Sequence, residues 1–177
     1  MITLQSQRLC LRSLKESDAT QKYADWLNDP DVNKYLETRH SVQTVESCKS
    51  FIKQCNEDNN SHLLGVFLKE TEQHIGNVKI GFINELYKRG QISLFLGEKN
   101  YWGKGYSSEL VKAVTQYGFE DLGLHRIEAG CYEDNLASLR VFLKAGYTVE
   151  GFMREHVLSD GEFVGCFWLG KLASEHK

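Results

Sequence analysis

The sequence predicts an α+β domain: one mixed, mostly antiparallel sheet of about six to seven strands flanked by four helices. Three observations carry that expectation. Strand-like runs at 63–68, 74–83 and 91–96 follow one another through turn-rich links, the pattern of an antiparallel meander. Two segments of helical apolar periodicity, 100–123 and 135–146, flank a strand-like run at 126–132, so only the crossing over the first of them need join parallel strands. Finally, Ser159-Asp160-Gly161 separates two extended runs as a hairpin turn does. The predicted order is β-α-α-β-β-β-α-β-α-β-β, in a single domain spanning residues 1–177.

Each element has a local reason. Leu9 and Leu11 alternate with polar neighbours as a first strand. Ser17 is the expected cap of a helix that carries Ala19, Tyr23, Trp26 and Leu27 on one face. That helix should stop near Asn28, because Pro30, the only proline, disfavours α conformation at Asp29. A second helix over 44–56 turns Val45, Cys48, Ile52 and Cys55 inward. The meander follows, its first pair linked at 70–73 and its second by the longer 84–90. Leu110, Ala113, Val114 and Tyr117 keep the i, i+3, i+4, i+7 spacing of a buried helix face. After the strand 126–132, a helix opens at Asn135 and ends at Gly146, which suits a left-handed cap. Strands 148–156 and 162–172 close the chain.

Composition narrows the function classes. A chain of 177 residues with 41% hydrophobic content can bury a sizeable core. A net charge of −3 leaves no electrostatic footprint for nucleic acid. No apolar run reaches the roughly 20 residues of a membrane span, and the N-terminal residues lack a signal-peptide pattern. Five cysteines (Cys10, Cys48, Cys55, Cys131, Cys166) without a CxxC pair suit reduced thiols, hence a cytoplasmic setting. The six histidines show no metal-ligand spacing, so no metal is expected.

The stretch with chemistry in it is 100–123. A strand ends at Gly97, a loop carries Gly103 and Gly105 around Lys104, and a helix begins. Glycines let the backbone approach a ligand, successive N–H groups point at an anion, and the helix N-terminus adds partial positive charge, so this is a phosphate cradle. A P-loop is excluded, because Lys104 is followed by Gly105 and not by a hydroxyl residue. Residues 103–108 read GxGxxS, near a dinucleotide fingerprint, but that motif belongs in a βαβ unit and not after a meander. An ordinary strand-to-helix connection would also use glycines to turn.

WGKGY with SSEL, then LHRIEAG, then N-LASLRVFLKAGY and EG, resembles the GNAT acetyltransferase superfamily, and within it the ribosomal-protein N-acetyltransferase (RimJ/RimL-like) branch. The resemblance runs from RLCLRSLKESDA to Gly151 and is strongest between Gln91 and Gly151. It implies a GNAT fold and acetyl-CoA as co-substrate, with the pyrophosphate on a [QR]-x-x-G-x-[GA] loop. Trp102, Gly105 and Ser107 occupy the three specified positions; Trp102 and Ser107 depart from the general pattern, and tryptophan is familiar in the Rim-like branch. The implied cofactor residues are Phe95, Leu96, Gly97, Trp102, Gly103, Lys104, Gly105, Tyr106, Ser107, Ser108, Asn135 and Ser138. The resemblance further implies that strands 91–96 and 126–132 splay to admit the pantetheine arm. A backbone N–H, with Leu96 the candidate, should then face the thioester oxygen, a contribution worth about 2.7–4 kcal/mol in other acyl-transfer enzymes.

Many relatives protonate the departing thiolate with a tyrosine, but Phe142 stands at that position here, leaving water or Ser138. Glu37 is the nominated base and Glu85 the second; solvated surface carboxylates would look the same. Arg140 and Lys144 share a helix face and are either phosphate partners or surface charge. Cys131 and Tyr132 are expected to pack. The resemblance places the acceptor beside the connector 26–40, through Trp26, Asn28, Tyr35, Glu37 and Arg39, with Gln91 orienting water; a capped turn with a satisfied aspartate would account for the same connector equally well. With no GxSxG elbow or activated-cysteine signature, direct attack by a primary amine in a ternary complex is expected. The acceptor is a small-molecule amine, with an amino sugar or nucleotide amino sugar favoured, or a peptide such as a protein N-terminus. The protein is expected to be a monomer or homodimer. A non-catalytic acetyl-CoA module and a nucleotide-dependent oxidoreductase are the competing classes.

Overall fold

The computed structural model describes residues 1–176. One eight-stranded sheet runs through it in the order β1-β2-β3-β4-β5-β6-β8-β7. Its strands are β1 (Thr3–Gln5), β2 (Leu9–Ser13), β3 (His62–Leu68), β4 (His74–Asn84), β5 (Arg89–Leu96), β6 (Arg126–Tyr132), β7 (Thr148–Ser159) and β8 (Glu162–Leu172). The α-helices are α1 (Gln21–Asn28), α2 (Pro30–Asn33), α3 (Val45–Glu57), α4 (Tyr106–Glu120) and α5 (Leu136–Lys144). Every neighbouring strand pair is antiparallel except β5–β6, the pair bridged by α4.

Three expectations need correction. There are eight strands, not six to seven, because β1 adds a three-residue strand too short to show alternation. There are five α-helices, not four. Pro30 does force Asp29 into an extended conformation (φ −75°, ψ 119°), but it then serves as the first residue of α2, with Asp29 Oδ1 capping the Asp31 N–H at 3.0 Å. Ser17 does not cap α1. It sits in a separate one-turn segment, Glu16–Asp18, and Thr20 Oγ1 caps α1 by accepting from the Tyr23 N–H.

The sheet separates two cores. On one face α4 and α5 pack Leu110, Val111, Val114 and Phe142 against Val78, Ile80, Ile92 and Ile127. On the other, α1 and α3 bury Tyr23, Trp26, Leu27, Cys48, Ile52 and Cys55. The hairpin joining β7 to β8 turns through Asp160 (φ 51°) and Gly161 (φ 84°), both left-handed as a type I′ turn requires. Gly146 ends α5 at φ 84°.

Candidate active site

The loop between β5 and α4 has the backbone geometry of an anion cradle. Gly103 (φ 71°) and Gly105 (φ 83°) are both left-handed, and Gly105 is the N-cap residue of α4. A side chain at Gly103 would meet nothing within 4 Å, and one at Gly105 only Arg8 Nη2 at 3.6 Å, so the concave side is open. From Gly103 to Ser108 the main-chain N–H groups have no hydrogen-bond acceptor among the described residues. Those of Tyr106, Ser107 and Ser108 are the bare donors of a helix start. Arg8 braces the loop from the start of β2: its guanidinium donates to Lys104 O (3.1 Å) and Glu109 Oε2 (2.8 Å) and lies 4.0 Å above the Tyr106 ring. Burial pushes the Glu109 carboxyl up, but bonds from Ser6 and Arg8 outweigh it and hold the group below the ordinary glutamate range.

Beside the cradle the sheet opens. β5 and β6 pair only at Arg89↔Arg126, Gly90↔Ile127 and Gln91↔Glu128, although both strands continue. Beyond Gln91 they diverge, leaving unpaired backbone on either side of a gap. Gly97 is committed elsewhere, since its N–H donates to Ile75 O at 2.9 Å. By the alternation of an antiparallel ladder, Leu96 and Leu94 then direct their backbone groups into the gap. Trp102 Nε1 takes the Leu96 carbonyl at 2.9 Å, tying the cradle to the strand end and leaving the Leu96 N–H for a ligand. Leu94 was not singled out in the sequence; the two-residue period was the signal for it.

The gap leads to a cavity of about 450 Å³ on the α1–α3 face. Aromatic residues Tyr23, Tyr35, Phe51, Phe82 and Phe95 line it, with uncharged polar Gln43, Ser47, Asn77, Gln91 and Ser93. Its ionisable carboxylate and ammonium are Glu37 and Lys79. Continuing the β5–β6 register places Tyr132 opposite Phe95 on this face. Tyr132, expected only to pack, donates its hydroxyl to Glu37 Oε1, while Arg39 lies 3.6 Å from the same oxygen and Tyr35 meets the Tyr132 ring edge-on. Burial, and then the bond to Glu37, raise the Tyr132 pKa, so the phenol stays protonated.

Other sequence candidates lie elsewhere. Trp26 is in the core, its Nε1 on Glu98 at 3.2 Å, and does not line the cavity. Asn28 spends its amide on Ala24 O, Gln43 O and the Gln43 N–H, stapling α1 to the segment before α3. Arg39 reaches Leu158 O, fastening the connector to β7. Glu85 is exposed outside the cavity, as are Arg140 and Lys144 on α5. Asn135 caps α5 through the Ser138 N–H at 3.1 Å. Ser138 Oγ meets Cys131 Sγ at 3.4 Å, and burial pushes that thiol up to about 11. Phe142 is buried against Tyr147 and offers no hydroxyl.

A phosphate cradle, a split sheet edge and a cavity on the far face are the parts an acyl-CoA-dependent transferase needs. Comparison with known proteins agrees. The acetyltransferase (GNAT) domain family matches residues 8–148. The uncharacterized N-acetyltransferase p20 of Bacillus licheniformis is 30% identical over 179 residues, covering 99% of both chains. The spermidine N-acetyltransferase of Vibrio cholerae, solved with CoA and spermine, shares the fold with a TM-score of 0.86 at 20% identity, over 96% of this chain and 98% of that one. So does the ribosomal-protein-S5-alanine acetyltransferase of Vibrio fischeri, with a TM-score of 0.85 at 22% identity over the whole of both chains. The chain belongs to the GNAT acetyltransferase family. It is an acetyl-CoA-dependent N-acetyltransferase.

Proposed function

We propose that this enzyme acetylates the amine of a compact hydroxylated molecule, an amino sugar, by direct attack on acetyl-CoA in a ternary complex. The observation that carries the reading is the charge of the cavity. A polyamine needs several carboxylates to offset its charges, and here Glu37 stands alone, opposed by Lys79. Aromatic faces alternating with amides and hydroxyls suit a sugar ring, whose two faces are apolar and whose edge is polar.

The cofactor residues divide by role. The bare N–H groups from Gly103 to Ser108, with Lys104, receive the diphosphate, and the backbone of Leu94 and Leu96 and the edge of β6 receive the pantetheine arm; Phe95, expected there from the sequence, turns its backbone groups toward β4. Acetyl-CoA supplies an activated acyl group as thioester. The Leu96 N–H, with Leu94 behind it, stabilises negative charge developing on the thioester oxygen. No side chain nucleophile is involved: burial raises the Cys131 and Cys48 thiols, and Ser138 is bonded to Cys131 without a base. Glu37, held by Tyr132 and Arg39, takes the amine proton, and Gln91 positions water at the cavity wall. With Phe142 in place of a tyrosine, the thiolate departs to water; a parent pKa of about 8.5 makes it a tolerable leaving group.

The test is CoASH release across amino sugars, nucleotide amino sugars, spermidine and short peptides. Spermidine outperforming every sugar would refute the reading. A protein N-terminus is the second reading, favoured by Trp102 at the loop position where the Rim-like branch carries it and by a cavity mouth where Phe82 is 74% exposed. Peptides leading the same panel would select it.

A further inference from the structure

β4 carries a bulge where it passes the acceptor cavity. Gly81 faces Gln91 and Asn84 faces Arg89, so three steps along β4 match two along β5. Strict alternation would set Phe82 on the α4 face with Ile80. The extra residue gives that place to Ile83, since a Cβ at Gly90 would meet Ile80 Cγ1 at 3.5 Å and Ile83 Cγ1 at 3.6 Å. Phe82 turns instead to the cavity side, at φ 51°, a left-handed conformation that costs a bulky residue free energy. It gains little burial in return, being 74% exposed. What the bulge makes is a wall: Phe82 and Lys79 line both the acceptor cavity and a second recess of about 400 Å³. Asp58, Asn60, Asn84 and Arg89 help to enclose that recess. Arg89 reaches it because it shares a strand face with Gln91 and Ser93, which line the cavity.

The two cations of the recess are unspent. The Lys79 ammonium lies 5.6 Å from the Phe51 ring and 5.5 Å from the Phe82 ring, and the Arg89 guanidinium 5.7 Å from the Tyr87 ring. Neither is in an ion pair among the described residues. The carboxylate of the recess, Asp58, is turned to its own loop: one oxygen accepts the Asn60 N–H and the other the Ser61 hydroxyl, each at 2.8 Å. We infer that the recess is a second subsite for the acceptor, in which Lys79 and Arg89 hold a phosphate group carried by the molecule whose amine lies in the cavity. The inference rests on the amino-sugar reading and deepens it, from a free amino sugar to a phosphorylated one. Lys79, on the shared wall, supplies a point charge, and Arg89 a planar fork that takes two phosphate oxygens at once. Phe82 packs against the ring where cavity and recess meet.

The experiment measures kcat/KM for glucosamine, its 1- and 6-phosphates and UDP-glucosamine on the wild type, Lys79→Met and Arg89→Met. Lys112→Met, an exposed position on α4 across the sheet, is the control. On the wild type at least one phosphorylated acceptor should exceed glucosamine about tenfold or more, mainly through KM. A gain with a monoester identifies a sugar phosphate, and a gain confined to UDP-glucosamine a diphosphate; either supports the inference. Lys79→Met and Arg89→Met should each shrink that ratio about fivefold or more, and Lys112→Met should leave it within about twofold. Should Lys79→Met not fold, the exposed Arg89 carries the test. Calorimetry of the preferred acceptor with the enzyme–CoA complex should rank the variants in the same order. Phosphorylated acceptors no better than glucosamine, or a preference that survives both substitutions, would overturn the inference while leaving the amino-sugar reading intact. A panel led by spermidine overturns both.

Discussion

Replacing Gly105 by tryptophan separates ligand binding from folding. Gly105 sits at φ 83°, where an L-residue costs about 1–2 kcal/mol. A new Cβ there meets only Arg8 Nη2, at 3.6 Å, so no steric penalty adds to that strain. Gly123 supplies the control: it is also left-handed (φ 62°), has nothing within 4 Å of its Cβ, and lies beyond the other end of α4. Gly105→Trp and Gly123→Trp should therefore lose similar stability, about 1–2 kcal/mol each in urea unfolding. Their acetyl-CoA affinities should differ sharply. An indole in the cradle covers at least two of the bare N–H groups between Gly103 and Ser108. Hydrogen bonds to a charged partner contribute about 1.5–3 kcal/mol apiece. The expected loss is about 3–6 kcal/mol, or more than 100-fold in Kd by calorimetry, against less than about threefold for Gly123→Trp. Wild-type affinity in Gly105→Trp would mean that the diphosphate does not sit on this loop.

Three other perturbations probe different links. Gly97→Ala puts a Cβ into the Trp26 indole, whose Cε2 would lie 2.6 Å away and whose Nε1 is pinned to Glu98; stability should fall by about 1–3 kcal/mol, and Trp26→Phe in the same chain should restore part of it, as thermal melts would show. Glu109→Gln should cost about 1–2 kcal/mol at pH 7 and loosen acetyl-CoA. Because the folded Glu109 pKa lies below the ordinary 4.5, its contribution is complete above that value and lost as pH falls through the folded one, so wild type and variant should converge in acid. Glu37→Gln should lower kcat about 100-fold, and Tyr132→Phe about tenfold, with acetyl-CoA affinity unchanged in both; a Glu37→Gln rate within threefold of wild type would move the proton to bulk water.

Local chemistry in the chain determined much of this protein. Gly103 and Gly105 mark the cradle because a left-handed backbone is open to glycine at little cost, and α3, α4 and α5 show in the spacing of apolar residues because one helix face must be buried. Pro30 and Asp160-Gly161 set their boundaries through backbone sterics alone. Only the tertiary structure decided where the remaining side chains meet. Trp26 and Asn28 sit in the same connector as Tyr35 and Glu37, yet Trp26 packs into the α1–α3 core, Asn28 bonds Ala24 and Gln43 at the surface, and Tyr35 and Glu37 line the cavity, a division that depends on contacts distant in the chain. Asn77 and Lys79 stand mid-strand on β4, and their place on the cavity wall shows only once that strand is set in the sheet. The gap between β5 and β6 likewise has no sequence signature, since the end of a ladder depends on two strands 30 or more residues apart in the chain diverging in space.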